Sequence, residues 1–170
     1  MNIKTDSEKL VKAFDHMVDN VGRAIHQAEE ALAPTIDEMI HNAQTLARDI
    51  YALSQEESEH LAEALKRDIQ KANQAINQEQ KELREWFSFD LELLEDRFID
   101  LIGIAADKTW LDLHAFEKQN RQASAYHTGE VCSAGTLCCE NCSKTLNFTR
   151  TSRIPPCPGC HHSQFYRVIS

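Results

Sequence analysis

All six cysteines of this 170-residue chain lie between Cys132 and Cys160, and the 131 residues before them contain none. A secreted disulfide scaffold would spread its cysteines through the fold, so clustering at one end points to a local metal site. Four of the six form two C-x2-C pairs, Cys139-Glu-Asn-Cys142 and Cys157-Pro-Gly-Cys160, separated by fourteen residues. Each such turn brings two sulfurs to one side of an ion, and two turns complete the tetrahedron that zinc prefers, at ~2.3 Å per Zn–S bond. Backbone N–H groups late in each turn spread the thiolate charge. Pro158 sits where no donor is needed, and Gly159 permits a tight backbone. The expected ligands of one structural Zn2+ are therefore Cys139, Cys142, Cys157 and Cys160. Cys138, at C-x3-C spacing from Cys142, and His161 or His162 are alternative ligands. An S4 site also suits iron; zinc is expected because no redox partner is evident.

Strand-like segments flank both turns: Thr136-Leu-Cys138, Lys144-Thr-Leu-Asn-Phe-Thr149 and Phe165-Tyr-Arg-Val-Ile169. Leu146 and Phe148 share one face, and Phe165, Arg167 and Ile169 alternate with Tyr166 and Val168. This pattern predicts a zinc ribbon. A module this small buries too little apolar surface to fold well alone. Structural zinc contributes on the order of 10–16 kcal/mol of apparent binding energy, which becomes folding energy. Four thiolates leave no open position for water, so hydrolytic catalysis is disfavoured.

Charge divides the chain at the same place. Residues 1–128 carry 14 basic and 25 acidic side chains, whereas residues 129–170 carry 4 and 2. The expected organisation is an acidic helical domain over 1–125, with a linker near 123–131, and a zinc ribbon over 126–170. The helical part shows steps of three and four along Phe14, Val18, Val21, Ile25, Ala28 and Leu32, resuming at Ile36, Met39, Ala43, Leu46, Ile50 and Leu53. With no cap residue before Pro34, a kinked continuous helix is expected there. Ser54 and Glu57 fit a capping box that starts a new helix. Its stripe runs Leu61, Leu65, Ile69, Ala72, Ile76 and on to Ala105, with no Pro or Gly from Thr35 through Ile102. Unbroken from 55 to 105, that helix would span roughly 75 Å. The fold class expected is mainly α: a long antiparallel helical hairpin or coiled coil followed by the small β ribbon. A further capping box, Thr109-Trp-Leu-Asp112, predicts a short helix to about Gln122.

Over most of its length, and most sharply from about Asp107 onward, the chain resembles the bacterial zinc-ribbon-containing proteins of the YbeL type. The resemblance is carried by Asp107-Lys-Thr, Tyr126-His-Thr-Gly-Glu130, Leu137 with Cys139 and Cys142, Cys157-Pro-x-Cys160 and Gln164-Phe165. It implies an acidic helical region joined to a C-terminal ribbon, and the same four cysteine ligands. It implies no activity, and Cys132 and Cys138 fall outside its pattern.

Other constellations weigh less. Glu38-x-x-His41 and Glu57-x-x-His60 resemble half of a carboxylate di-metal centre, but Glu38 and His41 lie off the apolar stripe and Glu57 is used as a cap. His16, His26 and His114 are lone. The acidic run Asp90, Glu92, Glu95, Asp96 and Asp100 reads as a solvated face. No phosphate loop, activated serine or catalytic Cys–His pair is present, so an enzyme is not expected. A protein-interaction or regulatory adaptor is favoured, with a protein partner or self-association through the helices. The alternative is a nucleic-acid-binding ribbon using Lys144, Arg150, Arg153 and Arg167, a weak electrostatic footprint. Thiol-redox sensing through Cys132 or Cys138 is a third reading. No run of ~18 apolar residues is present and the N-terminus lacks an apolar signal core, so a cytoplasmic location and no membrane contact are expected.

Overall fold

The computed structural model describes residues 3–28, 34–79 and 125–168. Three helices come first: α1 (Ile3–Gln27), α2 (Ile36–Tyr51) and α3 (Gln55–Glu79). His16 of α1 stacks edge-on against Tyr51 at the far end of α2. Lys66 of α3 pairs with Asp37 at the start of α2, and Lys9 of α1 with Glu57 at the start of α3. The helices therefore run up, down and up. Phe14, Met17, Val18, Val21 and Ile25 of α1 meet Ile36, Met39, Ile40 and Ala43 of α2 and Leu61, Leu65, Ile69 and Ala72 of α3 in one apolar core. No helix among the described residues is long and apolar enough to cross a membrane.

Two expectations change here. The kinked continuous helix through Pro34 is replaced by two helices, because the cap lies after the proline. Thr35 Oγ1 accepts from the Glu38 N–H at 3.2 Å, and the Glu38 carboxylate accepts from the Thr35 N–H at 2.8 Å. The described residues of the hairpin accordingly hold three helices, because the first of the two long ones expected is divided at Pro34. The stripe of α2 also turns: Leu46 and Ile50 are 45% and 56% exposed, and Ala47 is buried instead. Ile36, Ile40, Ala43 and Ala47, at steps of four, three and four, form the buried seam in its place. The expected capping box at Ser54 is present, with Ser54 N–H on Glu57 at 2.8 Å and Glu57 N–H on Ser54 Oγ at 3.1 Å. Residues 80–105 of the long-helix reading, the Thr109 capping box, His114 and the acidic run at 90–100 lie outside the described residues. Replacing Thr35 by alanine should cost about 1 kcal/mol, readable as a lowered urea midpoint; an unchanged midpoint would contradict the cap.

The C-terminal part is built of β1 (Tyr126–His127), β2 (Val131–Cys132), β3 (Gly135–Cys139), β4 (Thr145–Phe148), β5 (Ser152–Arg153) and β6 (Gln164–Arg167). An antiparallel sheet has the order β1-β6-β3-β4, and β2 pairs with β5 in a second one. Residues 126–132, expected in part as linker, thus supply two strands. Tyr126, Cys132, Leu137, Ile154 and Phe165 form the ribbon's small core, with Leu146 and Phe148 packed against it. The ribbon rests on the helices: Val131 and Ala134 join the helical core.

Beneath that contact lies a buried ion pair. Arg167 Nη2 donates to Asp68 Oδ1 at 3.1 Å, and both side chains are fully buried. Asp68 also accepts from Tyr126 Oη at 2.8 Å and from the Ser133 N–H at 2.6 Å. Arg167 further donates to Tyr126 Oη at 2.9 Å and to the Ala134 carbonyl at 2.8 Å. Arg67 stacks over the Tyr126 ring at 3.8 Å and pairs with Glu130. Gly135 makes room for this: its φ is +141°, and a Cβ there would lie 2.0 Å from Arg167 Nη1. Gly135→Ala should therefore destabilise by about 1–3 kcal/mol from overpacking alone, with backbone strain added. Urea unfolding checks this, and a neutral effect would contradict the placement of Arg167.

Candidate metal centre

Each cysteine pair sits on a turn whose backbone is fixed locally. In the first, the Cys139 N–H donates to the Lys144 carbonyl at 2.9 Å and the Ser143 N–H to the Cys139 carbonyl at 3.0 Å, with Ser143 at φ +59°. The second repeats the design: the Cys157 N–H meets the His162 carbonyl at 3.1 Å, the His161 N–H meets the Cys157 carbonyl at 2.8 Å, and His161 has φ +58°. The two turns face each other. The sulfurs of Cys139, Cys142, Cys157 and Cys160 all lie within 4.8 Å of one another. Cys139 and Cys160 are 3.6 Å apart, and Cys142 and Cys157 are 3.5 Å apart. A Zn–S tetrahedron at ~2.3 Å sets its sulfurs ~3.8 Å apart, so the set fits zinc with small adjustment. Among the described residues this is the one group placed to hold an ion.

The protonation chemistry fits as well. Asn141 and the His162 N–H donate to Cys160 and lower its thiol to about 6. Burial opposes ionisation of Cys157, but the Gly159 and Cys160 N–H groups outweigh it and hold that thiol below its ordinary value. The Lys144 N–H lowers Cys142, yet the Cys160 and Cys157 sulfurs overcome it and raise the thiol to about 12. Sulfurs this close share protons, and a divalent cation takes the place of those protons when it binds. Gly159 serves by close approach: its N–H is 3.4 Å from Cys157 Sγ, and a Cβ would stand 3.4 Å from Cys142 Sγ and 3.1 Å from Lys144 Cδ.

The alternative ligands lie elsewhere. Cys138 is buried on β3 opposite Thr145 and Tyr166, outside the sulfur cluster. His161 is exposed, and its backbone is what shapes the turn. Cys132 is wholly buried in the ribbon core, and burial pushes its thiol up to about 12, which leaves it unreactive. The Glu-x-x-His motifs assemble nothing: Glu38 and Glu57 cap helices, and His41 and His60 are exposed. His16 is half-buried beside Asn20 and Tyr51, and His26 is exposed. Of the four cations in the nucleic-acid reading, Arg167 is consumed by Asp68, and Arg153 Nε donates to the Gly129 carbonyl at 2.7 Å. Phe165 is core, which leaves Tyr166 as the exposed ring.

A family model described as a zinc-ribbon containing domain matches residues 23–169, most of the chain and both cysteine turns. The chain belongs to that family. Its match begins in the last turns of α1 and takes in α2, α3 and the ribbon together. The protein named uncharacterized protein YbeL of Escherichia coli strain K12 is 28% identical over 93 residues, and so is that of Escherichia coli strain CFT073. Those 93 residues are 55% of this chain, and the chain spans 58% of the length of each relative. No solved structure matches the chain significantly. Sequence reasoning missed Asp68, Tyr126 and Arg167 as a unit. One signal was available: Arg167 stands at an inward-facing position beside Phe165, where a charge requires a buried partner.

Proposed function

We propose that this protein is a non-enzymatic adaptor of the cytoplasm, with zinc in a purely structural role and protein recognition as its task. The observation that carries this reading is the closed donor set: four cysteine sulfurs fill a tetrahedron, so no position is left for a substrate or an activated water. The thiols need a reducing compartment to stay available for metal. The partner binds the helical region, whose coiled-coil potential also provides for self-association. Affinity capture with the full-length, zinc-loaded protein tests this. A protein retained stoichiometrically and recovered in the reciprocal capture is the expected result. Retention of nothing above background, together with a monomer at every concentration in sedimentation, overturns it.

A further inference from the structure

We propose that metal binding and docking of the ribbon onto α3 are one coupled equilibrium, transmitted along β6, so that loss of zinc releases the ribbon from the helices. The inference rests on the metal centre and not on the adaptor reading.

Both cysteine turns grip the same end of β6. The Glu140 N–H donates to the Gln164 carbonyl at 3.1 Å, and Cys139 stands opposite Phe165 in the ladder. Cys160 lies four residues before Gln164, and its turn is closed through His162. From that end β6 runs inward, carrying Phe165 into the ribbon core and Arg167 to Asp68 about 10 Å further on. The metal therefore sets where β6 starts, and β6 sets where Arg167 arrives.

At the other end, Asp68 takes its hydrogen bonds from the ribbon, while Arg67 beside it on α3 acts on it through charge. Among the described residues its hydrogen-bond donors, Tyr126, Ser133 and Arg167, all belong to the ribbon, and Asp68 has no exposure to solvent. A ribbon that loses its metal loses the register that aligns these three groups. The carboxylate is then buried without its hydrogen-bond donors and without the Arg167 charge, and removing one member of a buried pair is strongly unfavourable. Separation of the two surfaces relieves it by admitting water, and bares the part of the helical core that Val131 and Ala134 cover. Coupling is reciprocal: docking strengthens zinc binding by the same factor by which zinc strengthens docking, so a weakened dock lowers zinc affinity.

Carboxyl footprinting of the full-length protein with a carbodiimide and an amine tests this. Glu63, exposed on the same helix, is the internal standard. Asp68 should be protected in zinc-loaded protein, react at a rate comparable with Glu63 after chelation, and regain protection when zinc is restored. In a second arm, Asp68→Asn should keep its helical circular dichroism and bind one zinc per chain at least about fivefold more weakly than wild type in chelator competition. Continued protection of Asp68 after zinc is gone, or an unchanged zinc affinity in folded Asp68→Asn, overturns the proposal. If the variant does not fold, footprinting of the unaltered chain decides alone.

Discussion

Truncating Asp68 to alanine should cost about 3–5 kcal/mol of folding stability, a third or more of what many domains of this size possess. The size follows from what is stranded. Arg167 is fully buried, and burial opposes its charge, but Tyr126 and Asp68 outweigh that and hold its pKa above the usual value. It stays a cation in the variant. The Ser133 N–H loses its acceptor, and Tyr126, whose phenol is pushed up chiefly by burial, loses its acceptor for the proton it keeps. Each buried donor left without a partner adds about 1–3 kcal/mol. Arg167→Met in the same background should recover part of the loss, because an apolar side chain of similar length replaces a buried cation that has lost its carboxylate. Urea unfolding of the three proteins reads both effects. A loss below about 1 kcal/mol for Asp68→Ala, the value of an exposed pair, would show that the network is solvated in solution.

Removing the metal should unfold the ribbon. Its core of Tyr126, Leu137, Ile154 and Phe165, with the buried Cys132, is too small to carry six short strands against their chain entropy. A structural zinc contributes on the order of 10–16 kcal/mol of apparent binding energy at neutral pH. Chelation, or Cys142→Ser, should therefore collapse the dispersed amide signals of residues 126–168, while the α1–α2 hairpin keeps its own. Binding should weaken as pH falls, since the thiols must give up protons to the metal. Amide spectra checked in chelator test this, and dispersed ribbon signals without metal would contradict it.

The parts of this structure that sequence reveals are those set by near neighbours. Two C-x2-C turns announce their purpose because ligand spacing is a local matter, and the Ser54 box is visible because three residues contain it. The Thr35 box is as local, but it hides behind Pro34, and reading the proline as a kink in one helix conceals the cap that follows. The α2 stripe misleads at Leu46 and Ile50 because several apolar residues flank the true seam, and steps of three and four fit either choice. The docked ribbon is of another kind. Asp68 and Arg167 are 99 residues apart. No periodicity connects them, and a lone arginine on a short strand reads as a surface cation until its partner is in view. The charge split near Gly129 marks where composition changes, but Val131 and Ala134 beyond it pack into the helical core.

X-ray absorption at the zinc edge, combined with elemental analysis of the purified full-length protein, tests the metal centre most directly. One zinc per chain, surrounded by four sulfurs at ~2.3 Å, is the predicted result. Protein without bound metal, or a zinc shell in which nitrogen from His161 or His162 replaces one of the sulfurs, would contradict it.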